Sequence, residues 1–210
     1  METPRKTDST KRSPLERAEQ QPVVLGKLAS GQTVLDRASS HIHESPEMTS
    51  LLQEAFRHIR LEEQNFVRAV IDFGRPIGES MCVTTGPQDT ITFAQRERRP
   101  GLTRFVLNRS PEQTQLLNVV LMKNQKDSSS YILITAFQGI AGEKEPWDPY
   151  APDLAKDFWN NHALVWDGKQ IISGTETTEA PQYWERMPPP QNAPAQMPPP
   201  HELRISIPTE

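Results

Sequence analysis

Between Pro46 and Ile59 the apolar residues Met48, Leu51, Leu52, Ala55, Phe56 and Ile59 recur at the spacing that gathers them on one face of an α-helix. Ser45, Pro46 and Glu47 supply a capping side chain, a proline at the first helical position and an acid suited to the positive end of the helix dipole. Together they predict an amphipathic helix over 46–62. The pattern then shifts to short runs rich in β-branched and aromatic residues: Phe66 to Phe73, Ser80 to Thr85, Thr90 to Gln95, Thr103 to Leu107, Leu116 to Met122 and Tyr131 to Phe137. Gly74-Arg75-Pro76 and Gly86-Pro87-Gln88-Asp89 punctuate these runs as turns, and the polar stretch 123–130 joins the last two as a hairpin.

After Gly139 the chain is acidic and irregular through Glu143-Lys144-Glu145-Pro146-Trp147-Asp148-Pro149, then predicts a short helix near Ala151 to Asn160. Ala163 to Trp166 and Ile171-Ile172, separated by Asp167-Gly168, read as a final hairpin. The expected fold is α+β: an N-terminal helix, then a mostly antiparallel twisted sheet of five to seven strands and a late short helix. Parallel βαβ crossovers lack the helices they would need.

Composition sets the limits of that domain. With 35% hydrophobic residues and 20 prolines, the chain has too little apolar material to be packed throughout. Residues 1–45 are polar and charged with only scattered aliphatics, Val23-Val24-Leu25 the short run among them, and are expected to be a disordered arm. In residues 177–210 Met187-Pro188-Pro189-Pro190 recurs as Met197-Pro198-Pro199-Pro200, the composition of a disordered proline-rich tail that serves as spacer or docking ligand. A single globular domain over 46–176 remains.

A net charge of −4 argues against a general binder of nucleic acid or membranes. The single cysteine, Cys82, cannot form an internal disulfide, no apolar signal segment opens the chain, and no apolar run approaches the length of a membrane span. A soluble protein of the reducing cytoplasm is expected, with no membrane partner. Nucleophile elbow, phosphate loop, dinucleotide fingerprint and zinc spacings are all missing, so no cofactor is assigned. His41-Ile42-His43 has the spacing of a metal-binding pair but no framework of further ligands, so no metal is assigned either.

Against the acidic background, residues 91–110 hold five arginines and one acid: Arg96, Arg98, Arg99, Arg104 and Arg109 against Glu97. Two readings of this patch are open. Guanidinium forks suit phosphate geometry, so the patch is a candidate surface for RNA or another anion; alternatively it is a solvated turn whose arginines pair with the acids of 143–157. His162, between the late helix and an apolar strand, is placed either as a general acid or base or as a residue that caps the helix end. Thr135 is the one hydroxyl inside the otherwise apolar Tyr131 to Phe137 run; strand propensity accounts for it as well as a site would.

The order of helix, strands, Thr103-Arg104-Phe105-Val106 and a hairpin ending in Thr135-Ala136-Phe137 resembles the barnase/EndoU/colicin/RelE-like group of metal-independent ribonucleases, many of them toxins. The resemblance spans about residues 46–175. It implies RNA cleavage by attack of the 2′-hydroxyl on the adjacent phosphate. Arg104 would then clamp the phosphate, Thr135 would donate a hydrogen bond to it or to the ribose, and His162 would be the general acid or base, with a neutralising protein as partner. The early catalytic histidine or glutamate common in that group has no matching motif at His58 or Glu79. The competing expectation is a non-enzymatic interaction module, in which the domain docks on one protein and the proline-rich tail recruits another.

Overall fold

The apolar stripe after Pro46 folds as helix α1 (Pro46–Phe56), which turns Met48, Leu51, Leu52, Ala55 and Phe56 inward. The structure, a computed structural model, describes residues 22–36, 46–169, 171–181 and 198–208. Ser45, His41, His43 and the first Met-Pro-Pro-Pro repeat lie outside them. Two strands precede the helix, β1 (Val24–Lys27) and β2 (Thr33–Asp36). After it come β3 (Phe66–Asp72), β4 (Gly78–Ser80), β5 (Cys82–Thr84), β6 (Ile91–Gln95), β7 (Leu102–Val106), β8 (Glu112–Thr114), β9 (Leu116–Lys123) and β10 (Ser130–Gln138). Helix α2 (Ala155–Asn161), β11 (His162–Val165) and β12 (His201–Ser206) complete the described elements.

The mixed α and β composition agrees with the pattern, but the count does not: the described residues hold 12 strands in three sheets, and the helix is not the first element. The large sheet runs β1-β2-β10-β9-β3-β12, a second runs β5-β11-β7-β6, and β4 pairs with β8 as a ribbon. Two of the extra strands, β1 and β2, fall in the stretch expected to be a disordered arm, and β12 falls in the expected tail. Each is held from outside: β2 lies parallel to β10 and β12 parallel to β3. A polar strand of a few residues has no stability of its own, but the open edge of an apolar sheet supplies its hydrogen bonds. Parallel pairing also occurs between β11 and β7. These pairs join strands far apart in the chain, so other strands, not single helices, fill the connections.

The β1–β2 hairpin is locked to the end of α1. Ala29 donates its N–H to the carbonyls of Phe56 and Ile59 (2.9 Å each), Leu61 N–H donates to Ser30 Oγ (2.9 Å), and Gln32 Nε2 donates to the Leu61 carbonyl (3.1 Å). These bonds satisfy carbonyls that a helix end leaves open, and α1 stops at Phe56 instead of continuing to residue 62. Gly26 is needed beneath the Phe56 ring, since a Cβ there would lie 2.9 Å from Phe56 Cδ2.

The large sheet turns alternate residues toward α1: Val67, Ala69 and Ile71 from β3, Leu117, Val119 and Leu121 from β9, and Tyr131, Leu133 and Ala136 from β10. Tyr131 is fully buried and donates its hydroxyl to the Gln64 carbonyl (2.8 Å). A bulge between Leu133 and Thr135 changes the parity of β10, so Thr135 pairs with Val120 and shares its face, away from the core. The expected last hairpin does not form. β11 inserts between β5 and β7, and Ile171 bridges Arg96 instead.

Phe56→Ala empties the space between α1, Gly26 and the large sheet. It is expected to cost about 3–5 kcal/mol, measured as a lower urea midpoint at unchanged denaturant slope. The β12 edge is expected to be acid-sensitive. Arg68, which lies 2.5 Å from Glu202, holds that carboxyl below its usual range, with Arg204 adding to the effect. A depressed carboxylate stabilises the fold above its unfolded pKa and loses that contribution as pH falls through the folded value. Protection of the β12 amides, corrected for intrinsic exchange, should therefore fall on acidification before that of β9; equal loss in both strands would contradict the assignment.

Candidate functional site

The ribbon strand β4 and the strand β5 are separated only by Met81, and this short link ties the second sheet to the end of β10. Ser80 Oγ donates to the Cys82 carbonyl (2.6 Å) and accepts from the Ile140 N–H (3.0 Å). Gly139, at φ 94°, fits against Ser80, where a Cβ would sit 2.3 Å from Oγ. Beside this junction lies a cleft of about 410 Å³. Met81, Phe137, Ile140 and Leu164 give it apolar lining, and Glu79, Arg96, Arg99, Glu143, Lys144 and Glu145 give it charge.

One pair of those charges is already committed. Glu145 is 4% exposed and forms an ion pair with Arg96; Thr103 Oγ1 donates to the same carboxylate (3.0 Å) and accepts from Arg96 Nε (3.1 Å). The acidic segment thus supplies a partner for one arginine of the basic patch. The turn that follows β6 is braced by Arg99 N–H on the Arg96 carbonyl (3.1 Å) and Gln95 Nε2 on the Arg99 carbonyl (2.8 Å). It holds Arg98 at φ 62°, a left-handed conformation that a side chain rarely adopts unless its surroundings impose it. Among the described residues the exposed guanidinium of Arg99, which lines the cleft, makes no hydrogen bond or ion pair.

The remaining basic residues point elsewhere. Arg109 is held by Asp89 (3.2 Å to each oxygen) and Glu112. The Gly86 N–H and then Arg109 keep the Asp89 carboxyl below its ordinary range. Arg104 donates through Nη1 to Thr85 Oγ1 (2.9 Å) and to the His162 carbonyl (2.8 Å), and burial lowers its pKa.

Register fixes which of these groups can meet. Arg104 pairs with Phe93 and shares a face with Val106, Ala163 and Val83. His162 pairs with Thr84 and shares the opposite face with Leu164 and Phe105. The histidine ring stacks on Phe158 at 4.1 Å, and its Nδ1 lies 2.9 Å from the Phe158 carbonyl, which can only accept, so Nδ1 carries a proton. Thr135 belongs to the other sheet. Arg104, His162 and Thr135 are thus not brought to one surface; of the candidates only Arg96 and Arg99 line the cleft.

Met81 and Thr103 were not singled out as site residues by sequence, because their neighbours are remote in the chain; Glu145 belongs to the acidic segment expected to pair with the arginines, and Glu79 was considered only as a catalytic acid or base. Cys82 lines the cleft too, but burial pushes its thiol up to about 12, which keeps it protonated and unreactive. Among the described residues no group of His, Cys, Asp and Glu is placed to hold a metal ion, and no helix is long and apolar enough to cross a membrane.

Glu145→Ala leaves Arg96 and Thr103 without their shared acceptor. Because Arg96 is about a quarter exposed, the loss should fall somewhat below the roughly 3–5 kcal/mol typical of a fully buried pair. Glu145→Gln, which keeps an acceptor for Thr103, should cost less, and urea denaturation distinguishes the two. No protein-family model matches the chain, and neither a search of curated proteins nor one of solved structures finds a match.

Proposed function

We propose that this chain is a protein-interaction module whose cleft between the two main sheets receives an extended segment of a partner that carries a single acid beside an apolar side chain. The observation that carries this reading is the braced turn 96–99. Its strained Arg98 backbone and the fixed Arg96–Glu145 pair leave Arg99 as the available arginine beside an apolar lining, while Lys144 lies over the Tyr150 ring at 5.2 Å. Such an arrangement suits a peptide that offers a carboxylate to a guanidinium and an apolar side chain to Met81, Phe137 and Leu164. Preorganisation of the turn reduces the entropy lost on binding. Glu79 and Glu143 in the same lining would select against uniformly acidic ligands and favour one with a single well-placed acid.

The test is direct binding of defined peptides. Fluorescence polarisation with short peptides that pair one Asp or Glu with a Leu or Phe should show saturable binding, and Arg99→Glu should weaken it about tenfold or more without changing thermal stability. Equal affinity of wild type and variant would remove the cleft from consideration. RNA cleavage in EDTA that is abolished by His162→Ala would instead favour the ribonuclease expectation.

A further inference from the structure

A second surface, independent of the cleft, lies at the edge of the large sheet. Among the described residues β12 is hydrogen-bonded only to β3, in a parallel register that runs from His201 opposite Val67 to Ser206 opposite Asp72. Ile207 N–H extends the ladder to the Asp72 carbonyl (2.8 Å). Leu203, Ile205 and Ile207 are half-buried against the core, while Glu202, Arg204 and Ser206 are exposed. This is the pattern of an extended peptide added to a sheet: main-chain bonds give affinity, and alternate side chains give selectivity.

Two observations distinguish β12 from an ordinary internal strand. It is joined to the rest of the described chain through residues 182–197, a proline-rich stretch. Its fit is also incomplete: Arg68 Nη2 binds Glu202 at 2.5 Å, yet Arg68 Nε is buried without a hydrogen-bond partner. An unpaired buried donor is costly, and an occupant that satisfied it would bind the same edge better.

We propose that the β3 edge is a docking site for an extended strand of another protein, which β12 occupies in cis. The partner segment would run parallel to β3 and carry apolar side chains at the alternate positions held by Leu203, Ile205 and Ile207. It would also place a carboxylate opposite Arg68, with a second acceptor within reach of Nε. Because β12 belongs to the same chain as β3, a partner segment reaches the site only when it binds tightly or the tail is drawn away. The tail is then a competitor as well as a spacer.

The experiment uses the full chain with a specific protease site inserted within 182–197, cut after folding. A labelled peptide of residues 200–208 should enter the cut protein while near-ultraviolet circular dichroism stays unchanged, and should bind the uncut protein at least about tenfold more weakly. A peptide with Glu202→Lys should lose about tenfold in affinity. An unrelated sequence that keeps only the carboxylate and the three alternate apolar residues should compete. If β12 leaves only when the whole chain unfolds, or if cut and uncut proteins take up peptide alike, the strand is merely structural and the proposal falls. A concentration-dependent dimer of the uncut chain that disappears on addition of the peptide would name a second copy as the occupant and overturn the partner assigned here.

Discussion

The packing of α1 on the inner face of β3, β9 and β10 is the contact on which the other parts lean. Phe56, Ile59 and Tyr131 are fully enclosed there, and full burial of side chains of this size contributes about 1.5–3 kcal/mol each. Once that layer exists, the end of α1 offers carbonyls to Ala29, which seats the β1–β2 hairpin. The open edge of β10 then receives β2, and the edge of β3 receives β12. The peripheral strands extend that layer, and Leu28 and Val34 of the β1–β2 hairpin join its core.

Charge is handled locally in the second sheet. The five arginines that look like one patch along the chain are divided among separate tasks. Arg96 balances a buried Glu145, Arg104 satisfies a hydroxyl and a carbonyl, and Arg109 grips Asp89 and Glu112. Burial of Glu145 makes its pairing with Arg96 costly to break, since an unpaired buried charge is expensive, whereas the partly exposed Arg109–Glu112 pair contributes little. Arg98 and Arg99 remain on the turn, whose geometry is braced by Gln95 and by the Arg96–Glu145 pair.

The helix 46–56 and the strands at 66–72, 91–95, 102–106, 116–123 and 130–138 were legible in the sequence, since each carries its own hydrophobic period and its own turn residues. Within the candidate site, sequence singled out Arg96 and Arg99 because a cluster of one charge is visible along the chain. It could not separate Arg104 from them, because the register between β7 and β11 decides that Arg104 and His162 face opposite ways. A bulge of one residue likewise moved Thr135 off the core face.

What sequence determined by itself, then, is the local periodicity of the inner elements and the supply of cations after β6. Tertiary structure alone decided that Val24–Lys27, Thr33–Asp36 and His201–Ser206 are strands, which residues line the cleft, and which arginine is left unpaired there. The reason is physical. Helical stripes and inner strands advertise burial in their own residues, whereas an edge strand, an ion pair and a cleft owe their stability to groups supplied from distant parts of the chain.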